Sequence, residues 1–347
     1  MSLEDLRKGR LEADEYYGEI DLPFFGEVLD GFLPRRIIDI HSHVTCPEEC
    51  LPSAPEPDFW AEKVCPGGMT LPNLIHANHL LFPGRNVTSV VFPMPSRRLD
   101  PEIGNRYVSS EAADLGAIPL LLTDPRWSGE ELDRRVREGG FGGLKPYPVM
   151  AEAKDPDGLE IYDYLPRDHL ELANERGWLV ILHIPRPGRL ADPTNIRQLL
   201  ELDEEYDRAR IVIAHVGRAY CAKFAEGLDA LGYTQNLRFD ISANANQMVF
   251  QRLIDVIGLD RILYGSDLPI TAMHARRVCE GDNYVNVVLG ADWEDSHTKV
   301  GQPADGITFF LYEEIAAFKR ACESRGVDRR AVARVFHGNA ARMLAIG

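Results

Sequence analysis

Ile37-Ile38-Asp39-Ile40-His41-Ser42-His43 is an apolar, β-branched run that ends on two histidines spaced i, i+2. In a strand, alternate side chains share a face, so His41 and His43 project together while Ser42 points away. Two imidazoles delivered side by side from the end of a buried strand are half of a metal site. A bare His-x-His is a weak signal, since surface histidines produce it often. It gains weight from the apolar run before it and from later runs that also end in ligand-type residues.

Working outward, β-type runs recur at 87–92, 118–122, 141–146, 179–183, 211–215, 237–241 and 261–267. Several are continuously apolar, as parallel strands covered on both faces are. Helical segments lie between most of them. Ser128-Gly129-Glu130-Glu131 has capping-box spacing and opens a helix that stops near Gly139-Gly140. Segments 166–176 and 247–257 read as amphipathic helices closed by Gly177 and Gly258. Eight strands with helical crossovers predict α/β architecture as a (β/α)8 TIM barrel, which typically needs about 250 residues. The 347-residue chain has a surplus, placed in an aromatic, acidic arm over 1–34, a long loop after His43, and an excursion over 268–305. One barrel domain over 35–347 with the arm packed on it is the better division; a doubly wound sheet is the alternative.

Bulk properties narrow the partners. A formal charge of −16 with no basic run to offset it argues against nucleic acid and anionic membrane. No run of about 18 apolar residues suggests a membrane span. Met1-Ser2-Leu3-Glu4-Asp5-Leu6 has no signal-peptide core, so a cytoplasmic location is expected. Six cysteines in such a chain read as free thiols. Cys46 and Cys50 could pair on a metal, but no second pair completes a cysteine site. A homo-oligomer is left open.

Taken together, the strand ends carry His41 and His43 (first), His183 (fifth), His215 (sixth) and Asp267 (eighth). Barrel active sites form at the C-terminal ends of strands, so these residues would converge. Each alone has a plainer explanation as a hydrogen-bonded structural group; five on one rim do not.

Asp39-x-His41-x-His43, His183, His215 and Gly265-Ser266-Asp267 resemble the amidohydrolase superfamily. They resemble more narrowly the amidohydrolase-related family that includes aminocarboxymuconate semialdehyde decarboxylase. Gly338-Asn339-Ala340-Ala341-Arg342-Met343-Leu344 is similar to that family's C-terminal helix motif, and the resemblance runs from about residue 35 to the end. It implies that His41, His43, His183 and Asp267 bind one divalent ion, with Zn²⁺ suited to the ligand types. It also implies that His215 and Asp267 act on protons and that a metal-activated water is the nucleophile. Lys145 is the ambiguous member. In the wider superfamily a strand-four lysine can be carboxylated and bridge two metals; in the narrower family the motif often reads Gly-x-Lys-Leu-His and one metal is common, a motif from which Gly143-Leu144-Lys145-Pro146-Tyr147 departs. One metal is favoured, with Lys145 then meeting the substrate or a barrel carboxylate.

Arginines gather where strand ends meet loops: Arg97, Arg98, Arg126, Arg186, Arg189, Arg218, Arg276 and Arg277. Arg186, Arg218, Arg126 and Arg97 are taken as contacts for an anionic small substrate, because the guanidinium fork matches carboxylate. The alternative is that such arginines pair with acids on the rim. Trp127, Tyr147 and Tyr220 are candidate walls. His76 and His79 lack a neighbouring glutamate and read as packing. The excursion over 268–305 is expected to cover the mouth as a partial lid. The expectation is a metal-dependent hydrolase of a carboxylate-bearing amide, lactone or ester. Non-oxidative decarboxylation of an unsaturated or aromatic acid is the runner-up, and a non-catalytic binding barrel is disfavoured because each ligand position is filled.

Overall fold

The computed structural model describes residues 2–46, 60–152 and 155–346. Strand β1 (Arg36–Val44) pairs in parallel with β2 (Asn86–Pro93), and β2 with the short β3 (Ile118–Pro119). A second parallel sheet runs β4 (Leu121–Leu122), β5 (Gly143–Lys145), β6 (Leu179–Leu182), β7 (Arg210–Ile213), β8 (Arg238–Asp240) and β9 (Ile262–Leu263). The architecture is α/β with parallel sheets of three and six strands, not one unbroken ring of ladder pairing. The single strand expected over 118–122 is split where Pro119 brings no N–H to the ladder.

The two sheets exchange backbone hydrogen bonds at both seams. At one, Leu120 N donates to Val91 O (2.9 Å) and Gly142 N to Pro119 O (2.8 Å). At the other, Ile40 N donates to Tyr264 O (3.1 Å), Asp267 N to His41 O (2.8 Å) and His43 N to Leu268 O (2.7 Å). Alternate residues divide between two cores. Ile38, Ile40, Val90, Phe92, Leu120, Ile181, Val212 and Leu263 share one cluster. Ile37, Val91, Leu121, Leu144, Val180, Ile211 and Phe239 join the layer under the helices.

The helices start and stop where their caps dictate. Ser128 Oγ accepts from Glu131 N (3.2 Å) to open Gly129–Glu138. Arg167–Arg176 ends at Gly177, whose φ of 65° a side chain would resist. Gln247–Ile257 is opened by Asn246 and followed by Gly258. Ahead of β1, Tyr16 and Tyr17 donate to Ile307 O and Leu80 O, both at 2.9 Å. Fully buried Asp21 accepts from Thr308 Oγ1 (2.7 Å) and faces His274 Nε2 (2.8 Å). His76 and His79 lie on Leu71–Leu81.

The excursion after β9 is more ordered than a loop. It forms an antiparallel hairpin of β10 (Ala275–Glu280) and β11 (Asn283–Leu289), with β12 (Thr298–Gly301) parallel to β11. A disulfide, Cys221–Cys279, ties the hairpin to the segment after β7, which corrects the reading of all six cysteines as thiols. The two lie 58 residues apart and share no spacing signature, but folding brings their Cα atoms to 6.0 Å. Cys65 and Cys322 are free and buried, and Cys46 is buried; Cys50, and with it the Cys46–Cys50 pair, lies outside the described residues. Among the described residues no helix is long and apolar enough to cross a membrane.

Candidate metal centre

Asp39 sets the end of β1 against the segment after β9. Its Oδ1 accepts from His41 N (3.1 Å) and Ser266 N (2.8 Å), and its Oδ2 from the hydroxyls of Ser42 (2.5 Å) and Ser266 (2.6 Å). Burial pushes its carboxyl up to about 6 despite those bonds. Gly265 lets the two segments approach: a Cβ there would lie 2.8 Å from His41 Cβ.

With that frame held, His41, His43 and Asp267 place ligand atoms within 4.8 Å of one another. One oxygen, Asp267 Oδ1, lies 3.1 Å from His43 Nε2 and 3.5 Å from His41 Nε2. Burial pushes both imidazoles down, leaving them neutral. Burial also opposes the Asp267 carboxylate, but His215 and the hydrogen bond with His43 outweigh it and hold that carboxyl well below its usual range. Two neutral imidazoles facing an ionised carboxylate are a donor set that fits a divalent cation.

Asp240, at the end of β8, orients this set. Its Oδ2 lies 2.9 Å from His41 Nδ1, which leaves Nε2 turned to Asp267. Its Oδ1 accepts from His215 N (2.8 Å), Ser242 N (3.1 Å) and Ser242 Oγ. Partners of this kind fix a ligating histidine's tautomer and raise its basicity. His41, His215 and Asp240 also lie close enough to suggest a second ion, but the Asp240 oxygens are already occupied by these hydrogen bonds. Sequence reasoning missed Asp240; the available signal was an acid inside the apolar run Phe239-Asp240-Ile241.

Lys145 is fully buried, with Nζ 3.2 Å from His41 Nε2 and over the rings of Phe92 (4.5 Å) and Tyr147 (5.6 Å). Burial pulls its ammonium down to about 7, against Asp240 and Asp267. Lys145 thus lies against the His41 ring.

His215 and His183 form the adjoining wall. The His215 ring lies 4.7 Å from that of His41 and 5.3 Å from that of His183, and its Nδ1 meets Ser242 Oγ at 2.9 Å. His183 stands outside the compact trio. It packs 4.8 Å from Tyr147, and its Nδ1 is buried without a partner. From His215 to Arg218 the backbone turns left-handed, with φ of 57°, 51°, 61° and 60°. A β-branched Val216 in that region is costly and marks a conformation imposed by its surroundings.

The arginines divide. Arg126 is exposed and paired with Asp124 (2.6 Å) and Glu152 (3.1 Å) beside a surface cavity of about 490 Å³. Arg186 binds Asp192 (3.3 Å) and Gly158 O (2.9 Å), and Arg97 is exposed. Arg218 has Nη1 donating to Pro185 O (2.9 Å), and its charge acts on His183. Arg189 is buried and Arg277 half-buried. They surround Tyr220 and Tyr284 beside His215.

The family description Amidohydrolase matches residues 105–346, which include Lys145, His183, His215 and Asp267; His41 and His43 precede that stretch. None of the curated proteins matches significantly. Among solved structures the chain is similar to 5-carboxyvanillate decarboxylase of Sphingomonas paucimobilis (TM-score 0.56, 15% identity, 90% of this chain and 100% of that one). It is also similar to an amidohydrolase of Burkholderia multivorans with bound zinc (0.58, 14%, 90% and 99%). A third is a probable 2-pyrone-4,6-dicarboxylic acid hydrolase of Acinetobacter baumannii with citric acid bound (0.54, 17%, 89% and 99%). At these identities the likeness is one of fold.

Proposed function

The chain belongs to the amidohydrolase family of metal-dependent enzymes, and we propose that it hydrolyses a small carboxylate-bearing amide, lactone or ester. In this reading the two sheets are halves of one (β/α)8 barrel, hydrogen-bonded at both seams, and residues 1–34 are an arm on its outside. The observation that carries the function is the convergence of two neutral imidazoles on the ionised Asp267 carboxylate. His41, His43 and Asp267 would hold one divalent ion, Zn²⁺ by donor type, with His183 completing the set from the wall. Such an ion supplies Lewis acidity and brings the pKa of a bound water towards neutral.

The protein's own groups do the rest. Asp240 fixes His41, and Ser242 engages His215 Nδ1, so that Nε2 would relay to the leaving group the proton that Asp267 takes from the attacking water. Asp267 would take that proton first. Lys145, next to His41, would meet the substrate. Its carboxylation, with a second ion, is the variant reading and would show as a mass increase on that residue.

A second reading, non-oxidative decarboxylation, is favoured by one observation: His41 and Lys145 at the floor have no exposed surface. A dry floor protects a carbanion until it is reprotonated. The test is turnover of carboxylated lactones, amides, esters and aromatic acids in ¹⁸O-water. Hydrolysis places one ¹⁸O in the product; decarboxylation releases CO₂ and leaves the remaining acid unlabelled. Activity that survives removal of all metal would refute both.

A further inference from the structure

Arg189 is buried and Arg277 half-buried, and among the described residues neither cation faces an anion. Their neighbours Arg186 and Arg276 pair with Asp192 and Glu313, each at 3.3 Å. Among the described residues Arg189 and Arg277 form no such pair. Arg189 is 9% exposed, and its Nε and Nη1 are buried without an acceptor. Arg277 gives Nε to Asn286 Oδ1 (2.8 Å) and Nη1 to Ala243 O, while Nη2 is buried and unpaired. Both guanidinium groups bracket the same two rings. Arg189 Cζ lies 5.5 Å from Tyr220 and 4.9 Å from Tyr284; Arg277 Cζ lies 4.5 and 4.6 Å away.

Two like charges in a buried, aromatic site repel, and ring faces offset only part of their lost hydration. The arrangement is held all the same. The disulfide Cys221–Cys279 ties the residue after Tyr220 to the strand that carries Arg277. Tyr220 in turn lies 6.4 Å from the His215 ring, so the arginines stand one aromatic ring beyond the reacting centre. We infer that Arg189 and Arg277 form a distal anion site that receives a second carboxylate of the substrate, remote from the group that reacts. This rests on the reading of His41, His43 and Asp267 as the centre that holds the reacting end. The unpaired N–H groups match carboxylate oxygens, and a ligand held at both ends is oriented for reaction.

The test is calorimetric binding and thermal shift with succinate, glutarate and adipate, against butyrate and inorganic phosphate, on metal-loaded protein. At least one dicarboxylate should bind tenfold or more tighter than butyrate and than phosphate. Arg189→Met should weaken that dicarboxylate at least tenfold. Since the Arg189 side chain makes no hydrogen bond among the described residues, the ligand-free variant should melt at or above the wild-type temperature. Arg277→Gln should weaken the same ligand. Equal binding of butyrate and all the dicarboxylates, stronger binding of phosphate, or unchanged dicarboxylate affinity in Arg189→Met would each overturn the inference. So would a drop in melting temperature of ligand-free Arg189→Met with ligand preference intact, since the residue would then be structural. In a His41→Ala/His43→Ala background the Arg189 effect should persist. Its persistence in a protein whose wild type proves to hold no metal would discard the metal reading and leave the anion site standing.

Discussion

Asp240 accepts four hydrogen bonds, and one of them, to His41 Nδ1, decides which ring nitrogen faces Asp267. Asp240→Asn puts an amide where His41 needs an acceptor. We expect the fold to survive and affinity for the divalent ion to fall about 10–100-fold, the usual scale for losing such a partner; competition with a chelator measures it, and unchanged affinity would remove Asp240 from the account. His215→Asn separates proton transfer from metal binding. It should retain the ion and lower kcat about 10²-fold or more, whereas loss of the ion would make His215 a ligand. At this scale the sequence was legible where chemistry coincides with a strand end, as at His41, His43 and Asp267. It was silent on Asp240, because a carboxylate serving a histidine 199 residues away leaves no local trace. It also left open which arginines pair with acids. Arg126 and Arg186 carry the right charge at loop positions, but Asp124, Glu152 and Asp192 already answer them.

The turn His215–Arg218 is the element on which the centre depends most. Left-handed backbone costs roughly 1–2 kcal/mol per non-glycine residue, so Gly217, at φ 61°, is the member that carries it most easily. A Cβ on Gly217 would also lie 2.6 Å from Leu190 Cδ1, beside Arg189. Gly217→Ala should therefore lose about 2–4 kcal/mol in urea unfolding, strain and overpacking together. A loss under about 0.5 kcal/mol would mean the turn is not held as described. The hairpin β10–β11 is joined to this region by Cys221–Cys279. Labelling of thiols in denaturant should reveal two more after reduction than before; equal labelling would exclude the bridge. Helix limits were readable from Ser128, Gly177 and Gly258, whose caps act locally. The left-handed turn and the hairpin were not, since each is settled by packing against distant segments.

At the scale of the whole molecule, a chain of net charge −16 keeps Lys145 and Arg189 inside while its described acids lie mostly outside. The parallel α/β plan was legible because apolar runs recur at crossover spacing; the joining of the sheets was not, because it rests on single backbone bonds at Leu120, Gly142 and Ile40. Burial of His41, His43 and His183 gives the metal-stripped protein a definite pH response. Each has its pKa pushed below 6.5 in the folded chain and takes up a proton on unfolding. Their contribution to stability is thus complete above about pH 6.5 and falls as pH drops below it, by up to about 1.4 kcal/mol per pH unit for each histidine. Urea unfolding between pH 7.5 and 5 should show that slope, reduced in His183→Gln; a flat profile would contradict the neutral cluster. The most direct measurement of the central claim is elemental analysis of wild-type protein beside the His41→Ala/His43→Ala variant. The account predicts close to one tightly bound divalent ion per wild-type chain and almost none in the variant. A metal-free wild type, or a variant that keeps its ion, would contradict it.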